Sequence, residues 1–201
     1  MAVARLLCAP LARRISAAML AALLASCAPV KTTAPGVVGV ERRQAMSPLV
    51  SEQDLEKGAA QAYQQVMGEA RAKGELNKDP KTVQRVRKIA QRLIPQTAVF
   101  RQDAPGWAWE VNVIDSEEVN AWAMPGGKIA VYTGIIDKLK LTDDELAAIM
   151  GHEIAHALRE HGRERASRAA GQGLLVSVVG AATGIGDGGQ QLANMALQVA
   201  V

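Results

Sequence analysis

Residues 141–162 carry the strongest helix pattern of the sequence. Thr142 and Glu145 have the spacing of a capping box, in which each side chain bonds to the backbone N–H of the other residue. The two aspartates between them add negative charge where the helix dipole favours it. The sequence therefore predicts a helix from about Asp143 to His161 that ends at Gly162, and at about 1.5 Å per residue this helix is roughly 28 Å long.

The middle of this helix carries two histidines and a glutamate, in the order His152-Glu153-Ile154-Ala155-His156. Histidines four residues apart lie on one side of a helix, one turn apart, so both imidazoles can reach a single ion. A zinc ion needs this convergence because its Zn–N distances are about 2.0–2.1 Å. Glu153 can reach a water molecule on the metal without being a ligand. The pattern predicts one zinc ion per chain, with His152 and His156 as ligands and Glu153 as the catalytic base that activates the zinc-bound water.

Gly151 directly precedes the first histidine, inside the predicted helix. A glycine at such a position costs about 1 kcal/mol of helix stability relative to alanine. We therefore expect another part of the molecule to approach the helix closely at this residue.

Other segments alternate between helix and strand patterns. Apolar residues recur at three- and four-residue spacing over residues 52–73 and again from Pro80 to Ile94, which predicts two further helices with a buried face. Residues 107–113 and 128–133 show strand patterns, and the turn Pro125-Gly126-Gly127 precedes the second. This mixture predicts an α+β fold, mainly helical, with a small β-sheet beside the histidine helix.

The residues before the histidine helix make the pattern more specific. They run from Asn120 through Trp122 to the Pro125-Gly126-Gly127 turn and then along a strand pattern to Gly134, after which the capped helix follows. This arrangement resembles family forty-eight of the metallopeptidases, the family of HtpX and the CaaX prenyl endopeptidases, over about Leu55 to Arg165. The resemblance implies a zincin-type metallopeptidase domain, and the N-terminal signal described below points to the periplasmic lipoprotein branch of the family.

The resemblance also implies a third zinc ligand, a glutamate on a later helix several tens of residues past the second histidine. The acids after that histidine are Glu160, Glu164 and Asp187. Glu160 is expected on the histidine helix itself, Glu164 as a surface charge at the helix end, and Asp187 in a loop as a substitute ligand at best. His161 is expected as a helix-end cation or core histidine. Because no acid fits the family pattern, the sequence predicts a metallopeptidase domain over residues 51–201 that is C-terminally incomplete.

A strand next to the turn is the candidate for binding substrate. Its residues are Asn120, Ala121, Trp122, Ala123 and Met124. An exposed strand at the edge of a sheet can pair with the backbone of an extended peptide of almost any sequence.

The zinc pattern, the family resemblance and this strand together lead us to expect a zinc-dependent metalloendopeptidase that cleaves misfolded or damaged proteins of the cell envelope. The alternative is a non-catalytic zinc-binding lipoprotein with a chaperone or assembly role, because the third metal ligand is not identified in the chain.

The N-terminal residues predict export and lipid attachment. Two arginines precede an uncharged apolar stretch over residues 15–25, which is typical of a secretory signal and short for a membrane span. Leu24-Ala25-Ser26-Cys27 resembles the bacterial lipobox, so we expect cleavage before Cys27 and acylation of its thiol. Residues 1–26 are thus predicted as a lipoprotein signal peptide and residues 27–50 as a flexible tether. Alanine rather than aspartate after the cysteine favours the outer membrane, with the domain facing the periplasm.

The charge balance excludes one class of partner. The chain has 23 Lys and Arg against 20 Asp and Glu, which gives a formal charge of +3. Arg5, Arg13 and Arg14 lie in the predicted signal peptide, which has no acid, so the remaining chain carries 20 residues of each sign. A nucleic-acid-binding domain shows a basic excess. The expected partners are therefore unfolded or damaged proteins and, through the lipid, a membrane, and no nucleic acid.

Overall fold

The computed structural model describes residues 28–36, 39–48 and 50–171. The strands are β1 (Ala28–Val30), β2 (Gln44–Met46), β3 (Glu110–Ile114), β4 (Ala121–Met124) and β5 (Lys128–Tyr132). The helices are α1 (Glu52–Ala72), α2 (Pro80–Leu93), α3 (Thr133–Leu139), α4 (Asp143–Leu158) and α5 over residues 161–171. Two short 3₁₀ helices follow α2, at Ile94–Val99 and Ala104–Gly106. The mixture of helices with a small sheet confirms the predicted α+β class.

Several sequence predictions lie outside the described residues. These are the signal peptide over residues 1–26, the acylated Cys27 and the loop residue Asp187. Residues Val30–Gln44 and Val50–Arg165 form one compact unit, which contains His152, Glu153 and His156. None of the helices in the described part of the chain is long and apolar enough to cross a membrane.

Both helices predicted before the sheet are present, and their starts are capped. The side chain of Ser51 accepts a hydrogen bond from the backbone N–H of Asp54 at the start of α1. The carboxylate of Asp79 accepts from the N–H groups of Lys81 and Thr82 at the start of α2, and Pro80 occupies the first turn. These caps pair backbone donors that a helix start otherwise leaves without partners.

The main sheet has three strands in the order β3-β5-β4. Strand β5 is central, with β3 parallel and β4 antiparallel to it. The turn before β5 requires left-handed backbone, with φ of 76° at Gly126 and 81° at Gly127. Because β4 comes last in the strand order, it forms one edge of this sheet in the described part of the chain.

Strand β3 begins three residues later than the strand pattern predicts. Trp107 and Trp109 precede it, and their rings stack with centroids 5.6 Å apart. Their indole N–H groups donate to the carboxylate of Asp103 and to the carbonyl of Ala104. The alternation of residues 107–113 thus reflects two packed tryptophans followed by a strand. The indole N–H groups of both tryptophans bond to residues at the preceding 3₁₀ turn, and the strand begins only after them.

Helices cover both faces of the sheet. On one face, α1 buries Tyr63 and Met67 against Ile114 and Ala130. The Tyr63 hydroxyl donates to the carbonyl of Ile129 at 3.3 Å and accepts from the Asn112 amide at 2.8 Å, and burial raises the pKa of Tyr63 to about 12. On the other face, α2 and α4 form the larger core with β3, β4 and β5. The sheet is therefore a buried platform for the helix that carries the histidines.

Helix α4 begins as predicted but ends earlier. Both hydrogen bonds of the capping box are present, between Thr142 and Glu145. The helix ends at Leu158 rather than at His161, because Glu160 has left-handed backbone with φ of 51°. Gly162, the predicted stop, lies instead in the first turn of α5.

Ion pairs hold this helix break. The Glu160 carboxylate, whose side chain is 12% exposed, lies 2.9 Å from the Arg101 guanidinium and 3.1 Å from that of Arg163. Arg101 also pairs with Glu52 at 2.5 Å and with Asp103 at 2.9 Å. A left-handed conformation at a residue with a side chain is strained, and these partners from other elements offset the cost. The sequence near residue 160 carries no sign of this break, since its partner Arg101 is 59 residues away.

Part of the predicted tether has secondary structure. Gln44 in β2 is 1% exposed, and its amide donates to the carbonyl of Arg159. Arg42 forms an ion pair of 3.1 Å with Glu164. These contacts anchor residues 42–44 to the polypeptide after α4, while the domain boundaries at residues 26 and 50 stay predictions.

Candidate metal centre

The side of α4 opposite the core carries the three residues singled out by the sequence. Met150, Ile154 and Leu158 are buried on the core side. His152 is exposed, and Glu153 and His156 are half-buried. The helix period of about 3.6 residues thus separates a packed stripe from a solvent-accessible one. Strand β4 lies against the same helix.

The two histidines converge as their spacing predicts. Their Nε2 atoms are 2.9 Å apart, and their ring centroids are 4.5 Å apart. Two nitrogen ligands at the zinc distance on a tetrahedral ion are roughly 3.3 Å apart. The observed separation needs only a small adjustment to bind one ion. The donor set is also suitable, because imidazole is a preferred zinc ligand.

Glu153 completes the group. Ligand atoms of His152, Glu153 and His156 all lie within 4.8 Å of one another. A carboxylate at this distance can bond to a water molecule that the histidines' metal also contacts. In the described part of the chain, no further His, Cys, Asp or Glu belongs to this group.

His161 is the site residue that the sequence interpretation missed. Its Nδ1 lies 2.5 Å from the Nδ1 of His156, and the two rings meet at 63° with centroids 4.7 Å apart. Burial lowers the pKa of His161, and the positive charge of Arg42 acts in the same direction, so the neutral ring is favoured. On one continuous helix, a residue five positions after His156 lies about 140° around the axis. The contact exists because α4 ends before residue 161, a feature that local sequence does not signal.

The nearby acids do not join the metal group. Glu160 is bound by Arg101 and Arg163, beyond the end of α4 rather than on it. Glu164 was expected as a surface charge, and this expectation is wrong: the residue is 5% exposed and paired with Arg42. Residue 164 lies in α5, after the left-handed turn at Glu160, and its carboxylate meets the Arg42 guanidinium 3.1 Å away rather than solvent. Both carboxylates are paired with arginines, and the described metal group includes neither.

Gly151 does not mark the close approach that its position suggested. A Cβ atom built on it meets no atom within 4 Å outside the local helix. The residue instead lines a mainly apolar cavity of about 270 Å³ beside α4. Other lining residues include Ile154, Ala155, Leu93 and Phe100. The expected contact is therefore replaced by open space.

The candidate substrate strand has the predicted edge position. The N–H of Tyr132 donates to the carbonyl of Asn120 at 3.1 Å, and β4 then pairs antiparallel with β5. In an antiparallel ladder, backbone groups point alternately toward and away from the partner strand. The N–H and C=O groups of Ala121 and Ala123 therefore point away from β5, toward the open edge. The side chains of these two alanines pack into the core shared with α4.

Comparison with known proteins identifies the family of the chain. The profile of Peptidase family M48 matches residues 80–201, more than half of the chain. The chain belongs to peptidase family M48. The match includes α2, the three-stranded sheet and the histidine helix.

Individual M48 proteins are similar over shorter stretches. The bovine mitochondrial metalloendopeptidase OMA1 is 36% identical over 98 residues, which cover 46% of this chain and 18% of the bovine protein. The fission yeast OMA1 is 34% identical over 113 residues, or 56% of this chain and 32% of that protein. The Escherichia coli metalloprotease LoiP is 31% identical over 96 residues, or 48% of this chain and 37% of LoiP. The matched segment thus spans well under half of each relative.

Proposed function

We propose that this chain is a zinc-dependent metalloendopeptidase whose metal is bound by His152 and His156 and whose base is Glu153. The observation that carries the proposal is the convergence of two Nε2 atoms and one carboxylate on the exposed side of α4. Membership of the M48 peptidase family and the names of the relatives support it. A zinc ion supplies a positive charge that polarises a carbonyl and makes a nearby water more acidic.

Glu153 performs the proton transfers of the proposed reaction. Its carboxylate takes a proton from the attacking water as the water oxygen bonds to the carbonyl carbon of the scissile peptide. The same carboxyl then gives that proton to the amide nitrogen, and the C–N bond breaks. The products are a carboxylic acid and an amine, which become a carboxylate and an ammonium when the remaining water proton passes to the amine, and Glu153 returns to its starting form.

Strand β4 is proposed to hold the substrate. The outward N–H and C=O groups of Ala121 and Ala123 can pair with an extended peptide, which extends the sheet by one strand. Because β4 packs against α4, this peptide would run alongside the histidine helix. Backbone pairing does not depend on substrate side chains, so it suits unfolded chains of varied sequence. Misfolded or damaged proteins of the cell envelope are the substrate class that fits this mode together with the predicted export signal.

Substitutions at α4 test the chemistry. Glu153→Gln should keep zinc and lose casein hydrolysis by at least a hundredfold, because it removes a base and not a ligand. His152→Ala or His156→Ala should lose most of the bound metal, measured by elemental analysis of the purified chain. Asp144→Asn is the matched control, since it removes the same charge from an exposed site in the first turn of the same helix and should leave hydrolysis unchanged. Parental hydrolysis by Glu153→Gln would show that another group is the base.

The second candidate is a non-catalytic zinc-binding lipoprotein with a chaperone or assembly role. The observation that favours it is that two histidines and one glutamate make up the metal group in the described part of the chain, whereas a catalytic zinc ordinarily has three protein ligands. Stoichiometric zinc with no casein hydrolysis, combined with suppression of the aggregation of an unfolded protein, would support this candidate over the peptidase.

We also propose that Cys27 is the lipid attachment site and that the protein faces the periplasm from the outer membrane. The support is the lipobox-like Leu24-Ala25-Ser26-Cys27 after a short apolar stretch. Cys27→Ser should leave unprocessed precursor and abolish acylation, measured by gel mobility and by metabolic labelling with a fatty acid. Processing and acylation of this variant at the parental level would contradict the assignment.

A further inference from the structure

The ring of His156 has neighbours at both of its nitrogens. Its Nε2 lies 2.9 Å from the Nε2 of His152, on the proposed metal side. Its Nδ1 lies 2.5 Å from the Nδ1 of His161, on the opposite edge of the ring. A neutral imidazole has one N–H and one lone pair, so the two contacts are linked. If Nε2 of His156 uses its lone pair to bind a metal, its Nδ1 must carry the proton.

That proton has a defined acceptor. Among the described residues, the hydrogen-bond partner of His156 Nδ1 is the Nδ1 of His161. His161 can accept only with Nδ1 unprotonated, and its own proton is then on Nε2. This Nε2 is buried and has no hydrogen-bond partner among the described residues. The pair therefore has one arrangement of protons that leaves His156 ready to bind a metal.

We propose that His161 is a positioning residue that accepts a hydrogen bond from His156 Nδ1 and so holds the Nε2 of His156 in the orientation and tautomer that bind the metal. The inference rests on the proposed zinc site. Metal-binding histidines commonly donate their second N–H to a fixed acceptor, and loss of that acceptor typically weakens metal binding about 10–100-fold. His161 is not itself proposed as a ligand, because it contacts the Nδ1 of His156 and not the Nε2 that converges with His152.

The helix break after α4 is what places His161. His161 is the first residue of α5. The left-handed backbone of Glu160 turns the chain so that the His161 ring faces His156. Arg101 and Arg163 hold the Glu160 carboxylate. The ion pairs around Glu160 therefore affect the proposed metal site indirectly, because they fix the position of the His161 ring.

Two variants separate hydrogen bonding from packing. His161→Leu has similar bulk and no acceptor, whereas the Oδ1 of the side chain in His161→Asn can occupy the place of Nδ1 and accept. Zinc affinity is measured on the full chain by competition with a chromophoric chelator, and the visible spectrum of the cobalt-substituted chain reports ligand geometry. We expect zinc binding about 10–100-fold weaker in His161→Leu, with an altered cobalt spectrum. His161→Asn should stay within about threefold of the parent with a parental spectrum, and both variants should keep the metal-free melting temperature near that of the parent.

Each other result is decisive. Parental zinc affinity in His161→Leu overturns the inference, as does an equal loss in both variants. A parent chain that binds no zinc contradicts the proposed function instead. If His161→Leu does not fold, nitrogen NMR of the zinc-loaded parent decides the question without a substitution. The inference requires the proton on Nδ1 of His156 and on Nε2 of His161, and a proton on Nδ1 of His161 overturns it.

Discussion

At the scale of single residues, two glycines in helices illustrate how space decides the effect of one methyl group. Gly151 faces a cavity, and a Cβ atom there meets nothing within 4 Å. Gly134 in α3 is buried, and a Cβ atom there would lie 2.5 Å from the carbonyl oxygen of Glu117. Both glycines have ordinary backbone angles, so the difference between them is packing and not conformational strain.

Gly151→Ala should therefore stabilise the protein by about 1 kcal/mol through helix propensity. Gly134→Ala should destabilise it by about 1–3 kcal/mol, because backbone must move to admit the methyl group. Chemical denaturation of the two variants and the parent measures both effects. A loss of stability in Gly151→Ala would mean that the cavity beside α4 is filled in solution.

At the scale of elements, strand β4 is informative because its two sides differ. The backbone N–H and C=O groups of Trp122 pair with β5, whereas the backbone N–H of Ala123 points to the open edge. Proline is tolerated at an edge position whose N–H faces outward, and it removes that donor. A single substitution can thus remove one proposed substrate contact while the ladder with β5 stays intact.

Ala123→Pro should lower casein hydrolysis at least tenfold while zinc content and melting temperature stay near parental values. Ala123→Val is the control for added bulk, because it keeps the N–H and suits a strand. Hydrolysis, zinc content and thermal unfolding are measured on the same preparations. Substrate pairing at this edge is contradicted if Ala123→Pro cleaves casein as fast as the parent.

At the scale of the whole molecule, the metal site is coupled to the stability of the fold. Helix α4 packs on β4 and α2, and Arg85 joins α2 to the start of α4 through Asp143 at 2.6 Å and the carbonyl of Leu141 at 2.6 Å. A ligand that binds only the folded state stabilises that state by mass action, by about 2.7 kcal/mol at a hundredfold excess over its dissociation constant. Zinc bound on α4 should therefore stabilise the entire cooperative unit.

Removal of zinc with a chelator should lower the melting temperature of the parent by roughly 5–10 °C. The variant with both His152→Ala and His156→Ala should show no shift with chelator or added zinc. Calorimetry at fixed protein and free zinc concentrations measures the effect. A shift of equal size in the double variant would place the stabilising zinc at another site.

The sequence by itself determined the features that depend on near neighbours in the chain. The caps of α2 and α4, the Gly126-Gly127 turn and the convergence of His152 with His156 follow from spacing, because helices and turns are closed by bonds between residues a few positions apart. The edge position of β4 was also predicted, from a strand pattern beside that turn.

Tertiary structure decided the end of α4, the inward position of Glu164 and the contact of His161 with His156. Each depends on a partner far along the chain: Arg101 for Glu160 at a separation of 59 residues, and Arg42 for Glu164 at a separation of 122 residues. Local propensity favours a continuous helix through residue 161, and ion pairs that form only in the folded protein hold the break instead. Propensities amount to tenths of a kcal/mol per residue, whereas leaving a buried charge unpaired costs several kcal/mol. Ion pairs between residues far apart in the sequence therefore set the contact of His161 with His156, since they are stronger than local helix propensity.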